Sequence, residues 1–74
     1  MEIYYSNNEL YVDINDRINI DLINRLKNKL SIIMESYGIE KVNLNINSIK
    51  YNYQLINGLI SDLNTKYDSI FVVK

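Results

Sequence analysis

The chain has 74 residues, of which 47% are apolar and 23% charged, a balance typical of one globular domain and not of a disordered chain. It lacks cysteine and histidine, which excludes disulfides, Cys/His metal sites, thiol catalysis and histidine acid–base chemistry. The net charge of −1 provides no drive towards nucleic acid or an anionic membrane.

The first predicted element is a β-hairpin over residues 2–15. Ile3 to Tyr5 favour a strand, and residues 6–9 contain the serine and asparagines of a turn. Apolar residues at positions 10, 12 and 14 then alternate with polar or amphipathic ones, which indicates a second strand with one buried face.

A helix is predicted from about Ile20, with Asn19 as its N-cap. Its apolar residues recur at three- and four-residue spacing: Leu22, Ile23, Leu26, Leu30, Ile33, Met34 and Tyr37. Gly38 stands where a C-cap glycine is expected, with Ile39 as its hydrophobic partner. Asp21 and Arg25 have the spacing of a stabilising ion pair on the helix.

A third strand is predicted where Val42, Leu44 and Ile46 alternate with asparagines, and residues 48–52 are expected to form a loop. The second helix is predicted from about Tyr53 to Tyr67, with Asp62 and Lys66 as another acid–base pair. Its apolar stripe consists of Leu55, Ile56, Leu59, Leu63 and Tyr67. Residues 69–73 are almost continuously apolar and indicate a last strand.

The predicted element order is β-β-α-β-α-β, which makes the chain an α/β domain with a four-stranded mixed sheet. Two strand–helix–strand crossovers imply parallel pairing of strands 2, 3 and 4. Because strands 2 and 3 have only one apolar side each, both helices are expected to pack on the same face. The uncovered face would then be lined by Tyr4, Tyr11, Asp13, Asn43 and Asn45.

This pattern resembles a STAS domain, the fold of bacterial anti-sigma factor antagonists, over nearly the whole chain. The segment Leu10-Tyr11-Val12-Asp13-Ile14 is similar to the family's second strand, and Tyr37 to Ile46 is similar to its helix end and central strand. Ile49-Lys50-Tyr51 is similar to the step before the family's functional loop. The resemblance implies a single STAS-like α/β domain over residues 1–74 that regulates another protein by binding it.

The family's phosphorylation motif is absent from this sequence. Antagonists carry an Asp-Ser-Ser-Gly-type motif at the start of the second helix, and the partner kinase phosphorylates its serine. Residues 52–58 here read Asn-Tyr-Gln-Leu-Ile-Asn-Gly, with no serine or threonine beside Gly58. The chain also stops after the last predicted strand, short of the family's final helix. The resemblance therefore implies a truncated version without the phosphoswitch.

Catalytic and nucleic-acid-binding interpretations find little support in the side chains. Asp13 with Asp16, and Asp62 with Asp68, are close in sequence, but solvated strand and helix ends explain them. The basic cluster Arg25, Lys27 and Lys29, with Lys50 further along, is interpreted as a solvated helix face. We therefore expect a non-enzyme with no cofactor, no metal and no small-molecule substrate, and we favour a protein partner over a nucleic-acid partner.

The seven tyrosines are the most unusual feature, because aromatic residues are enriched where proteins bind proteins. Tyr37 and Tyr67 are expected at the margin of the core. One predicted partner-binding surface comprises Tyr51, Asn52, Tyr53, Gln54 and Asn57. A second comprises Tyr4, Tyr11, Asn43 and Asn45. Unpaired strand edges or the open face would also allow a homodimer.

Two further functions remain as alternatives. The composition is rich in isoleucine, asparagine and tyrosine and lacks alanine and proline, as in AT-rich genomes. It suits a small phage- or mobile-element-encoded inhibitor of a host enzyme, such as an anti-CRISPR protein. A nucleic-acid-binding accessory protein is the third possibility. No membrane span or signal peptide is recognisable, so we expect a cytoplasmic protein without membrane contact.

Overall fold

The hairpin at the N-terminus consists of β1 (Glu2–Ser6) and β2 (Glu9–Ile14). The computed structural model describes residues 1–47 and 53–74. Asn7 and Asn8 form the two-residue loop, with φ angles of 52° and 65°. Two consecutive positive φ angles are typical of the type I′ turn, whose twist matches that of the paired strands. The predicted hairpin is therefore confirmed, and its asparagines adopt the backbone angles that favour this residue type.

The remaining elements are α1 (Ile20–Ser36), β3 (Lys41–Ile46), α2 (Tyr53–Asn64) and β4 (Ile70–Val73). The sheet order is β1-β2-β3-β4, with β1 antiparallel to β2 and the other two pairings parallel. This confirms the predicted mixed α/β fold. The predicted loop over residues 48–52 lies outside the described residues.

Both helices pack on one face of the sheet and form a single apolar core with it. The alternation in β2 and β3 directs their apolar side chains to this face, and Leu44 is fully buried there. The core comprises Leu10, Val12, Ile14, Ile18, Leu22, Ile23, Leu26, Leu30, Met34, Ile39, Val42, Leu44, Ile56, Leu59 and Leu63. Neither α1 nor α2, the helices of the described residues, packs on the opposite face.

The two ends of α1 differ in how well their caps are predicted. Asn19 is the N-cap, and its side-chain Oδ1 accepts a hydrogen bond of 2.9 Å from the Leu22 backbone N–H. At the other end, the C-cap is Tyr37 in an extended conformation, and Gly38 has no positive φ angle. The predicted glycine cap is therefore wrong. The Glu40 N–H donates to the Asn8 carbonyl at 2.8 Å, so the chain must leave the helix extended to join the sheet.

The two acid–base pairs predicted within the helices do not form among the described residues. Instead, the Lys27 ammonium group on α1 contacts the Asp62 carboxylate on α2 at 2.8 Å. The packing of α1 against α2 brings these two groups together across 35 residues. This bond joins the exposed sides of the helices.

The second helix ends at Asn64, three residues before the predicted end. The Lys66 N–H donates to the Leu63 carbonyl over three residues, which is the tighter turn common at helix ends. Tyr67 then reaches back to α1, where its hydroxyl donates to the Glu35 carboxylate at 2.8 Å. Tyr67 is half-buried at the core margin, as expected, whereas Tyr37 is 60% exposed.

Candidate functional site

The candidate site is the open face, the side of the sheet that carries no helix. Register places its side chains in rows across the strands: Tyr4 lies beside Tyr11, Tyr11 beside Asn43, and Asn43 beside Val72. In the next row, Glu2 lies beside Asp13, and Asp13 beside Asn45. The four predicted residues of the second surface therefore come together on one face.

Tyr4 and Tyr11 form a stacked pair across β1 and β2. Their ring centroids are 5.4 Å apart and the ring planes differ by only 9°. Such cross-strand aromatic pairs stabilise a sheet and fix the two rings relative to each other. Tyr4 remains 50% exposed. The pair thus presents a rigid aromatic surface that is open to solvent.

Beside the rings, three asparagines of the β3 segment donate hydrogen bonds to side chains of the β2 segment; we name this set the amide ladder. The Asn43 Nδ2 donates to the Glu9 carboxylate at 3.1 Å and to the Leu10 carbonyl at 3.2 Å. The other two bonds run from Asn45 to the Asp13 carboxylate at 3.1 Å, and from Asn47 to the Asn15 Oδ1 at 2.7 Å. The ladder offsets the poor strand propensity of asparagine.

Members of the amide ladder differ in how much surface they offer to a partner. Asn43 is only 6% exposed, although no helix covers it. Tyr11 and Val72 lie on either side of Asn43 in the row, and both are half-buried. These two neighbouring side chains therefore shield Asn43 from solvent. Asn45 is exposed. Of the two predicted contact residues on β3, Asn45 therefore carries the accessible surface, and Asn43 serves mainly to hold the sheet.

The electrostatics of the β1–β2 half are negative. The Asp13 carboxylate raises the pKa of the Tyr4 hydroxyl, with smaller contributions from burial, from a hydrogen bond and from Glu2. The hydroxyl donates to the Asp13 carboxylate at 3.4 Å. The negative charge of that carboxylate disfavours ionisation of the hydroxyl. Glu9 adds a third carboxylate at the other end of the open face. Chemically, this half can accept hydrogen bonds and attract cations.

The described residues of the first predicted surface lie on the helix-covered side of the sheet. Tyr53, Gln54 and Asn57 are exposed on the first turns of α2, which packs on the helix-covered face through Ile56 and its other apolar residues. Tyr53 is 63% exposed. Tyr51 and Asn52, also predicted for this surface, lie outside the described residues. The described residues of the two predicted surfaces therefore belong to opposite sides of the sheet.

Sequence reasoning missed an apolar hollow at the β1 edge. A cavity of about 240 Å³ is lined by Ile3, Tyr4, Tyr5, Leu10, Ile33 and Tyr37. The rings of Tyr5 and Tyr37 lie 5.8 Å apart beside it. These residues are separated by 32 positions, so only the packing of α1 against β1 reveals the contact. The polar side-chain groups of the lining are the hydroxyls of its three tyrosines, and the lining contains no carboxylate or basic side chain.

Two of the four carboxylates considered for acid–base chemistry contact cations. Asp16 contacts the N-terminal ammonium group at 3.0 Å, and Asp62 is bound by Lys27. Across residues 1–47 and 53–74, no cluster of three or more acidic side chains is arranged to hold a metal ion. Within the same ranges, neither helix is long and apolar enough to cross a membrane.

Comparison of the chain with known proteins found no matching family model, no similar curated protein and no similar solved structure.

Proposed function

We propose that this chain is a non-enzymatic regulatory module that binds another protein, as an anti-sigma factor antagonist without the phosphoswitch would, but through the open face rather than through the start of α2. The observation that carries the proposal is the stacked Tyr4–Tyr11 pair set among carboxylates. Tyrosine supplies a large contact area with few rotatable bonds, so little entropy is lost when it binds.

Preorganisation strengthens this proposal. Binding usually costs free energy because side chains must be ordered at the interface. On the open face that ordering exists before the partner arrives, since the Tyr4 hydroxyl is bonded to Asp13 and the Asn45 amide to the same carboxylate. A partner meets a surface whose donors and acceptors already have fixed positions.

The negative charge of the β1–β2 half also indicates which side chain a partner would present. Glu2 and Asp13 surround an aromatic ring, an arrangement that favours arginine or lysine because the cation can contact both the ring and the carboxylates. We therefore propose a partner that presents a basic side chain to the Tyr4–Tyr11 pair. Such binding weakens as salt concentration rises.

The same observation supports an alternative function of the same site. A carboxylate-rich aromatic face would also suit the basic groove of a nucleic-acid-processing enzyme. In that case the chain would be a phage- or element-encoded inhibitor of a host enzyme. The identity of the partner distinguishes the two: a sigma-regulatory protein or kinase for the first, a nuclease or polymerase for the second.

The test is an affinity capture from the source cell with four immobilised baits, followed by quantitative mass spectrometry. The baits are the wild-type chain, Tyr4→Ala, Tyr53→Ala, and Ile32→Ala as a control at an exposed α1 position. We expect one partner that the Tyr4→Ala bait fails to retain and that the other baits retain. The Tyr53→Ala and Ile32→Ala melting temperatures should stay within a few degrees of wild type, whereas loss of the stacked pair should lower that of Tyr4→Ala by up to about 8 °C and leave it folded.

Loss of the partner with Tyr53→Ala alone would place the binding site on α2 and contradict the open-face proposal. Equal retention of every captured protein by Tyr4→Ala and wild type would contradict it as well. Each bait is checked for folding by circular dichroism before the capture, so that unfolding is not read as lost binding.

A further inference from the structure

We infer that β4 is a pairing edge for a second copy of this chain, which joins two four-stranded sheets into one of eight strands. This inference is independent of the proposed function, because β4 lies at the opposite edge of the sheet from β1 and its tyrosines. It rests on the composition of β4, the direction of its backbone groups and the charges at its two ends.

The first observation is that β4, although short, lacks the side chains that normally protect an edge strand. Natural edges usually carry a charge, a proline or a bulge that prevents pairing with another chain. All four residues from Ile70 to Val73 are apolar. Ile70 is 66% exposed and Val73 is 37% exposed. An apolar edge of this kind is a ready site for strand addition.

The second observation concerns the backbone. The N–H groups of Ile70 and Lys74 donate to β3-side carbonyls, each at 2.9 Å, and the Lys74 carbonyl accepts from the Ile46 N–H. Because backbone groups alternate along a strand, Val72 also faces β3, whereas Phe71 and Val73 face outward. The outward N–H and C=O groups of these two residues have no strand partner in the described sheet.

The third observation is charge complementarity. If two β4 strands pair antiparallel about a two-fold axis centred on Phe71, each Ile70 lies opposite Val72 of the other copy. The same register places Asp68 opposite Lys74 of the other copy, twice. Both residues are exposed and neither forms an ion pair within the described residues. The apolar centre and the charged ends are thus self-complementary in one register.

This register also satisfies the backbone. It sets Phe71 opposite its own copy, and residues whose N–H and C=O groups face outward must oppose each other to form the bonds of an antiparallel pair. The edge is short, so the interface falls below the size of a stable permanent dimer. We therefore expect a reversible dimer with a dissociation constant of about 10–500 µM.

The experiment is sedimentation equilibrium of the full chain from about 10 µM to about 2 mM, a range that brackets the expected constant. The wild type should pass from monomer to dimer. Ile70→Lys adds the charge that edge strands normally carry and should raise the dissociation constant at least about tenfold. Ile32→Lys, the same change at a 68% exposed position on α1, should leave the constant unchanged.

A disulfide experiment tests the register. The chain has no cysteine of its own, so Asp68→Cys and Lys74→Cys chains each carry one thiol. In the inferred register the two positions form a non-hydrogen-bonded pair with Cα atoms about 4.5 Å apart, within disulfide range. Mild oxidation of the mixture should yield mainly the heterodimer.

Three results would overturn the inference: a monomer at every concentration, equal effects of Ile70→Lys and Ile32→Lys, or crosslinking of each single-cysteine chain with itself as fast as with the other. Circular dichroism shows whether Ile70→Lys is folded. If it is not, the crosslinking result alone decides, because Asp68 and Lys74 are exposed and their replacement does not enter the core.

Discussion

Replacement of Asn43 by aspartate tests whether the amide ladder holds the open face together. The change keeps the shape of the side chain and removes both hydrogen bonds that Nδ2 donates, to Glu9 at 3.1 Å and to the Leu10 carbonyl at 3.2 Å. At neutral pH a new carboxylate would then face a carboxylate and a carbonyl oxygen at a 6% exposed position.

The expected cost follows from that geometry. Two lost hydrogen bonds and one unpaired charge at a buried position cost about 3–5 kcal/mol in free energy of unfolding. A domain of 74 residues has a free energy of unfolding of about 4–11 kcal/mol. Asn43→Asp should therefore remove between about a quarter and all of the stability at neutral pH.

Urea denaturation followed by far-ultraviolet circular dichroism measures this loss, and Asn45→Asp is the matched control. Asn45 lies on the same strand and face and donates to Asp13 at 3.1 Å, but it is exposed. Water screens the charge of an aspartate there, so the control should cost about 1 kcal/mol or less. Equal losses at the two positions would refute the argument from burial.

The pH dependence provides a second criterion. Burial and the neighbouring acceptors raise the pKa of the introduced carboxyl in the folded state, so folding favours its protonated form. The sign follows: the deficit of Asn43→Asp against wild type is largest at neutral pH and shrinks as the pH falls towards about 4, the ordinary range of a carboxyl group. A deficit that does not change with pH would contradict this account.

Two further changes test the covered face and the α1–α2 contact. Leu44→Ala should cost about 2–5 kcal/mol because Leu44 is fully buried, and a thermal melt near that of wild type would show that the core assignment of β3 is wrong. Burial and the hydrogen bond to Glu35 raise the pKa of the Tyr67 hydroxyl. The protonated Tyr67 hydroxyl therefore contributes to stability below about pH 10, and this contribution is lost as the pH rises through the pKa of the hydroxyl in the folded state. Urea denaturation should show Tyr67→Phe less stable than wild type at pH 8 and the difference smaller at pH 11; a constant difference would contradict this role.

The fold was predictable because the alternation in β2 and β3 and the apolar stripe of each helix agree on one buried face. Leu44 is an example: its position between two asparagines identifies both the strand and the side that faces the helices. Asn19 was equally predictable, because an N-cap depends only on the next few residues. Both features depend only on residues a few positions apart in the sequence, so they can be predicted without knowledge of the tertiary contacts.

Features that depend on contacts between distant residues were not predictable. Asp62 has Lys66 in the right position on its own helix, yet it binds Lys27 on the other helix. Gly38 fits a cap, yet the bond from Glu40 to Asn8 sets the chain's direction there. Similarly, the sequence marks Asn43 as polar and outward-facing, and only the sheet register reveals that neighbouring strands bury it.

The two proposals together have a geometric consequence. A two-fold axis perpendicular to the sheet at β4 leaves both open faces on the same side of the eight-stranded sheet. The two Tyr4–Tyr11 pairs then lie six strand spacings apart, about 29 Å at about 4.8 Å per strand before twist is included. A partner that repeats its basic site at that distance would bind both pairs, and the second contact would be intramolecular. Weak pairing at β4 would thus make binding through the open face depend on the concentration of the chain itself.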